Sequence, residues 1–267
     1  MPSPRRHRLV LAALLLAVTS ACGSENATGT VATSPDPQPI KEGVLQVCTD
    51  IPYEPFEFTR KGEPVGFDVE LVDAVADRLE LELAMVDTSF DDITSGSALN
   101  DNTCDMAISA MTITGERARV LDFSSPYFNA SQALVVGAGS AVTTLADLGG
   151  LKVGVQAGTT GELYVTDNAP SEAEIVPFDD SAAMDAAMRD GDVDAAVYDN
   201  TVVGDVVESN PSLVVVAEFD TGEQYGMAVR RNGNDDLLRV INDVLASIRD
   251  DGGYDRIFEK WFGATGA

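Results

Sequence analysis

Arg117 stands where a positively charged side chain could hold an anion. It follows an apolar run at 106–109, predicted to be a strand, and a Thr-Ile-Thr turn. A guanidinium group matches a carboxylate through two parallel hydrogen bonds, which a lysine cannot do. The competing interpretation is a surface arginine paired with Glu116 or Asp122. Arg117 is therefore a candidate for binding a carboxylate near the end of a strand.

Asp199 occupies a comparable place, directly after the apolar run at 195–198. A charge buried at such a position needs an opposite charge beside it, and a zwitterionic ligand supplies both signs at once. The alternative is that Asp199 caps a helix starting at Asn200, a common role for aspartate. Both readings place a carboxylate at the end of a predicted strand.

The composition limits the chemistry that this chain can perform. The sequence has 267 residues, with 44 acidic and 17 basic side chains, a formal net charge of −27 and a single histidine, His7. If residues 1–21 are removed as a signal peptide, no histidine remains, which excludes Ser-His-Asp and Cys-His catalysis and histidine-ligated zinc. The acidic excess argues against nucleic acid as a partner. We expect no metal and no cofactor.

The N-terminus has the pattern of a bacterial targeting segment. A basic stretch at 5–8 precedes an apolar run at 9–18, which is too short to span a bilayer. The run ends in small residues before Cys22, as in a lipobox, so we predict a signal peptide at 1–21 and lipidation of Cys22. An ordinary signal peptide cleaved elsewhere is the alternative. Residues 22–42, rich in Ser, Thr and Pro, are predicted to be a disordered tether.

Beyond the tether, apolar runs alternate with amphipathic stretches. Predicted strands lie at 44–49, 83–86, 106–109, 132–137, 152–155, 175–178, 195–198, 213–216 and 225–229. Predicted helices begin at Asp68, as an N-cap, and cover 91–99, 161–168, 180–190, 235–249 and 254–262. This order indicates an α/β fold with largely parallel sheets, whose ligands bind at the carboxyl ends of strands.

Cys48 and Cys104 remain in the chain after removal of the signal peptide. An oxidising compartment favours a disulfide between them. Alignment of the two predicted strands at their carboxyl ends puts the cysteines several residues out of step, whereas a disulfide needs Cα atoms within about 7 Å. The sequence leaves this pairing open.

Several motifs, taken together, resemble one family. They are CTDIPYEPFEF at 48–58, GFDVEL at 66–71, MTITGER at 111–117, LDFSSPY at 121–127, GTTG at 158–161 and WFG at 261–263. In this order and spacing they resemble the extracellular solute-binding proteins of polar amino-acid ABC importers. The resemblance covers about residues 43–263.

The resemblance implies a periplasmic-binding-protein-like fold with two α/β lobes, each built on a mostly parallel sheet. On this chain, lobe 1 is expected at 43–126 plus 227–267, and lobe 2 at 132–221. The two hinge strands are expected at 127–131 and 222–226, with the ligand held between the lobes.

The resemblance also implies roles for nine residues. Arg117 is expected to bind the ligand's α-carboxylate, and Asp199 its α-ammonium group. Further contacts to the amino-acid backbone are expected from Thr112, the main chain at Ala110, and Thr160 at a helix start. The side chain of the ligand is expected to contact Tyr53, Phe90, Asp50 and Gln156, with ordinary core packing as the alternative for Phe90.

The function implied is capture of a polar or cationic L-amino acid outside the cell and its delivery to an ABC permease. No catalysis is expected; the protein is expected to be a monomer held at the membrane only by its lipid. Asp50 favours an amide or cationic side chain on the ligand, and Gln156 leaves glutamine and asparagine open. Two alternatives are a sensory ligand-binding domain and a cyclohexadienyl dehydratase-like enzyme on the same fold.

Overall fold

The computed structural model describes residues 37–263. The predicted signal peptide, Cys22 and most of the predicted tether lie outside the described residues. The strands are β1 Val44–Thr49, β2 Phe58–Arg60, β3 Glu63–Val65, β4 Glu82–Asp87, β5 Met106–Ala107, β6 Leu121–Phe123, β7 Phe128–Gly137, β8 Lys152–Gln156, β9 Glu174–Phe178, β10 Ala195–Asp199, β11 Leu213–Tyr225 and β12 Ala228–Arg230. The α-helices are α1 Phe67–Leu79, α2 Phe90–Thr94, α3 Ser97–Asn100, α4 Thr160–Asn168, α5 Ser181–Asp190, α6 Val203–Ser209, α7 Asp235–Asp250 and α8 Gly253–Phe262. No helix within this range is long and apolar enough to cross a membrane.

Two five-stranded sheets form the framework. The first sheet has the order β4-β1-β5-β12-β6, and the second sheet has the order β11-β7-β10-β8-β9. We call each sheet with its packed helices a lobe. Helices α1, α7 and α8 pack together on the first lobe, and α4 and α5 pack on strands of the second. The predicted two-lobed α/β architecture is confirmed.

Each sheet contains one strand that runs against the other four. In the first sheet this strand is β12, and in the second sheet it is β7. Both are the first strands that the chain forms after passing from one sheet to the other. The sheets are therefore mostly parallel in direction, as predicted, but each also holds two antiparallel pairings that the alternation of strands and helices does not reveal.

The chain passes from the first to the second sheet between β6 and β7, and returns between β11 and β12. An aromatic cluster packs around these passages. Phe56 contacts the rings of Phe128, Tyr225 and Phe262 at centroid distances of 5.1, 5.4 and 5.2 Å. Aromatic contacts of this kind add to ordinary apolar burial. The exact lobe and hinge boundaries given above stay predictions.

Gly66 shows why the chain needs a glycine before α1. Its φ is 144°, and a Cβ atom there would lie 1.9 Å from the carbonyl oxygen of Phe56. Only a residue without a side chain permits so close an approach of two backbone segments. This contact sets the loop that includes Tyr53 against the start of α1.

Cys48 and Cys104 form a disulfide, with their Cα atoms 5.6 Å apart. The cysteines are out of register, as expected, because Cys48 pairs with Ala107 across β1 and β5. The turn that precedes β5 brings Cys104 back to Cys48.

A second contact fixes the end of the predicted tether: the carboxylate of Asp105 accepts hydrogen bonds from the backbone N–H groups of Ile40 and Gln46.

Candidate functional site

All nine predicted ligand-binding residues line one cavity between the two lobes. Asp50, Tyr53, Phe90, Ala110, Thr112 and Arg117 reach it from the first lobe, and Gln156, Thr160 and Asp199 from the second. Asp50, Gln156 and Asp199 follow or end strands β1, β8 and β10, so the cavity lies at carboxyl ends of strands. The sequence did not single out seven further lining residues: Ser109, Gln132, Thr159, Gly161, Met184, Val197 and Tyr198.

Arg117 is held by main-chain oxygens from both lobes. It is 7% exposed; its Nη1 donates to the carbonyl of Thr112 at 2.8 Å and its Nη2 to that of Gly158 at 3.0 Å. The guanidinium carbon lies 5.1 Å from the ring centroid of Phe90, a cation–π contact. Burial lowers the pKa of Arg117 to about 10, which keeps it charged at neutral pH. The surface pairing with Asp122 does not form, because Asp122 pairs with Arg231.

Asp199 is held by two groups on the strands that pass between the lobes. Its Oδ1 accepts from Nε2 of Gln132 at 2.7 Å, and its Oδ2 accepts from the hydroxyl of Tyr225. Burial raises the pKa of Asp199 to about 6. The next helix, α6, begins at Val203 and has no side-chain cap. Asp199 is therefore not a helix cap, and its carboxylate faces the cavity.

Ala110 adopts a left-handed backbone conformation, with φ at 40°. Its N–H donates to Oδ2 of Asp68 at 2.8 Å, and the hydroxyl of Tyr127 donates to the same oxygen at 2.7 Å. The prediction that Asp68 caps α1 is wrong: the N-cap of α1 is Gly66, and no side chain caps this helix. Asp68 instead holds the main chain of Ala110 in the conformation that faces the cavity.

A second buried carboxyl group lies beside Asp68. Glu57 accepts from the hydroxyl of Ser109 at 2.8 Å, and that hydroxyl accepts from the N–H of Asp50 at 3.0 Å. Burial raises the pKa of both Glu57 and Asp68. The neighbouring charge of Asp68 raises the pKa of Glu57 further, whereas hydrogen bonds from Ala110, Tyr127 and Glu57 oppose the rise at Asp68. The pair supports two neighbouring residues of the cavity lining, because Glu57 contacts Ser109 and Asp68 contacts Ala110.

Asp50 and Gln156 join the lobes at another side of the cavity. The Nε2 atom of Gln156 donates to Oδ2 of Asp50 at 2.7 Å. Burial raises the pKa of Asp50 to about 6, and the hydrogen bond from Gln156 opposes this shift. Asp50 and Gln156, both predicted to contact the ligand's side chain, thus also contact each other directly.

Thr160 is the first residue of α4, and the hydroxyl of Thr159 caps that helix by accepting from the N–H of Glu162. The hydroxyl of Thr160 donates to Glu223 at 2.6 Å, and that of Thr112 donates to the same oxygen at 2.7 Å. Glu223 lies on β11 and was not among the residues predicted to line the site. The only available signal was strand periodicity: Glu223 and Tyr225 are two residues apart, so they share one face of the strand.

No group of three or more His, Cys, Asp or Glu side chains between residues 37 and 263 is arranged to hold a metal ion. The polar side chains that line the cavity comprise one guanidinium, two carboxylates, several hydroxyls and two amides. This arrangement can pair with a small molecule that carries both charges, and it offers donors and acceptors for a polar side chain.

The chain belongs to the bacterial extracellular solute-binding proteins, family 3, whose sequence profile matches residues 45–264. This confirms the family that the motifs indicated. A probable histidine-binding protein of Neisseria gonorrhoeae is 34% identical over 254 residues, covering 92% of this chain and 91% of that protein. ABC transporter arginine-binding protein 1 of Escherichia coli (strain K12) is 34% identical over 216 residues, covering 79% and 87%.

Among solved structures, an ancestral arginine-binding protein bound to arginine is 42% identical, with a TM-score of 0.78; the match covers 83% of this chain and 99% of that one. All three are described as amino-acid-binding proteins. The prediction that this chain is a binding protein and not an enzyme is confirmed.

Proposed function

We propose that this protein captures a free polar or cationic L-amino acid between its lobes and delivers it to the permease of an ABC importer. It works as a monomer at the extracytoplasmic face of the membrane, anchored by lipid on Cys22. The observation that carries the proposal is that one cavity is lined by both Arg117 and Asp199, each contributed by a different lobe.

The charges of the cavity suit an amino-acid backbone. Arg117 supplies a buried fork for the α-carboxylate, and Asp199 supplies an acceptor for the α-ammonium group. Because the two groups come from opposite lobes, a zwitterion that contacts both favours the closed arrangement of the lobes. Ligand-driven closure of this kind is a shift in population between conformations.

The carboxylate of Asp50 favours a ligand with a cationic side chain. After Arg117 and Asp199 are paired with the ligand backbone, Asp50 is still a carboxylate facing the cavity. An arginine, lysine or histidine side chain would provide its partner, as the relatives that bind arginine and histidine suggest. Gln156 can donate and accept, so glutamine and asparagine fit the same position.

A thermal-shift screen of the twenty amino acids tests the proposal. A ligand at 100 times its dissociation constant stabilises the native state by about 2.7 kcal/mol. For a domain of this size, that corresponds to an increase in Tm of about 5 °C or more. We expect this increase with at least one cationic or amide amino acid, and none with its decarboxylated amine at the same concentration. No shift with any amino acid would contradict the proposed function.

A further inference from the structure

Glu223 makes an unusual number of hydrogen bonds for a carboxylate beside a binding cavity. Its Oε2 accepts from the hydroxyls of Thr112 and Thr160 at 2.7 and 2.6 Å. Its Oε1 accepts from Nε2 of Gln132 at 2.9 Å and from the hydroxyl of Thr221 at 2.7 Å. Burial alone would raise the pKa of Glu223, but these hydrogen bonds outweigh burial and lower it, so the group is ionised at neutral pH.

The two partners of Oε2 come from opposite lobes. Thr112 follows β5 of the first lobe, whereas Thr160 begins α4 of the second, and the two hydroxyl oxygens are 3.5 Å apart. Glu223 itself lies on β11, five residues before the start of β12, where the chain returns to the first sheet. A single carboxylate oxygen on β11 therefore accepts hydrogen bonds from both lobes.

These hydroxyls belong to two residues that line the same cavity as Arg117 and that the resemblance to the family places against the ligand's amino-acid backbone. A threonine hydroxyl carries one hydrogen and can donate it to one acceptor at a time. While Thr112 and Thr160 donate to Glu223, they cannot donate to a ligand. A carboxylate brought next to Glu223 would also meet a like charge, which disfavours its binding.

We propose that Glu223 is a specificity-determining residue that acts as an internal substitute for the ligand's carboxylate. Its Oε2 holds the two threonine hydroxyls until the ligand's carboxylate takes them, while Oε1 keeps its bonds to Gln132 and Thr221. Glu223 thus weakens binding of amino acids and supports binding of amines that lack the carboxylate. This inference rests on the proposed function, because it takes the ligand to be an amino acid.

The test compares each amino acid with its decarboxylated amine by calorimetry. The pairs are L-arginine with agmatine, L-histidine with histamine, and L-glutamine with 4-aminobutanamide. The variant is Glu223→Gln, which keeps the shape and one acceptor oxygen but removes the charge. The matched control is Glu218→Gln, an exposed glutamate on the same strand.

For a pair whose amino acid binds the wild type, we expect Glu223→Gln to bind the amino acid at least threefold more tightly and the amine at least threefold more weakly. The preference for the amino acid then increases about tenfold or more, and Glu218→Gln leaves it unchanged. Glu223→Ala should move the preference in the same direction if Glu223→Gln folds poorly.

A preference that stays within twofold of wild type in both Glu223 variants would overturn the inference, even if both affinities fall together, because a purely structural role lowers them in parallel. That result would leave the proposed function intact. If the wild type binds no amino acid at all, the proposed function fails, and the inference fails with it.

Discussion

At the scale of single residues, the site depends on side chains that other groups of the protein hold in place. Arg117 is held by two carbonyl groups and an aromatic ring, and Asp199 by an amide and a phenol. Groups held in this way lose little conformational entropy on binding, so more of the interaction energy remains as affinity. The consequence is that small changes at these positions should alter binding more than folding.

Arg117→Lys tests the need for a planar fork. Lysine keeps the positive charge but cannot bond a carboxylate bidentately. We expect the affinity for the amino acid to fall at least tenfold, about 1.4 kcal/mol, and Arg117→Ala to abolish detectable binding in calorimetry. The control is Arg119→Ala, an exposed arginine in the same short 3-10 helix. Near wild-type affinity in Arg117→Ala would show that Arg117 does not bind the ligand.

The buried pair of Asp68 and Glu57 makes stability depend on pH. Burial raises the pKa of Asp68 from 3.8 to about 7, so between these pH values the native state binds more protons than the unfolded state. The free energy of unfolding should therefore decrease as pH rises from about 4 to about 7, by up to about 1.4 kcal/mol per pH unit for each such group. Asp50 and Asp199 add to this trend, since burial raises the pKa of each to about 6.

Asp68→Asn should make this slope shallower, because asparagine still accepts from Ala110 and Tyr127 but does not titrate. Urea unfolding at pH 4.5, 5.5, 6.5 and 7.5 measures the change. Asp167→Asn, on the exposed side of α4, serves as the control. A slope equal to that of wild type in Asp68→Asn would contradict the raised pKa of Asp68.

The positions in the site could be predicted from motifs, but not all of the contacts could. Arg117 and Asp199 follow strands, and that placement was visible in the sequence. Asp68 stood at a helix start, where a cap is frequent, and its actual partner is the N–H of Ala110, 42 residues away. Local sequence carries no information about such a distant contact, and for the same reason the partners of Glu223 were not anticipated.

At the scale of elements, β11 shows where periodicity fails. The sequence indicated separate strands at 213–216 and 225–229, whereas β11 runs without interruption from Leu213 to Tyr225. Its middle is polar because β11 is an edge strand that pairs only with β7, and its register shifts twice along that partner. An edge strand of this kind does not need a continuous apolar run.

The predicted helix at 91–99 is two short helices, α2 and α3, and Gly96 between them has a left-handed backbone conformation.

The disulfide belongs to this scale, because it joins β1 to the turn before β5. A cross-link that closes a loop of 56 residues stabilises the native state by up to about 4 kcal/mol in the chain-entropy account. The double variant Cys48→Ala and Cys104→Ala should lose stability toward that limit in denaturant unfolding. Wild type treated with a thiol reductant should show a similar loss. Equal stability of the variant and untreated wild type would argue against a formed disulfide.

At the scale of the whole molecule, two passages of chain and one aromatic cluster link the lobes. Phe128 and Tyr225 stack at a centroid distance of 6.0 Å, and each belongs to one of the two passages. Phe262 at the end of α8 contacts Phe56, Phe67 and Phe128. We expect relative motion of the lobes to turn about this cluster.

Attachment to the membrane is the prediction that concerns the complete chain. If Cys22 carries lipid, the wild-type protein should sediment with membranes, and Cys22→Ala should be found in the soluble extracytoplasmic fraction. Cell fractionation with immunodetection measures this, and Ser24→Ala, two residues further along the same segment, provides the control. Membrane retention of Cys22→Ala equal to that of wild type would refute the lipid anchor.

The hydrogen bonds that cross the cleft also affect how long a bound solute stays in the protein. Gln156 bonds Asp50, Arg117 bonds Gly158, and Ser181 bonds the carbonyl of Pro52, each from one lobe to the other. A solute enclosed behind these bonds cannot escape until they break, so its residence time follows the rate at which the lobes separate. Any partner that draws the lobes apart therefore shortens that residence time without touching the solute.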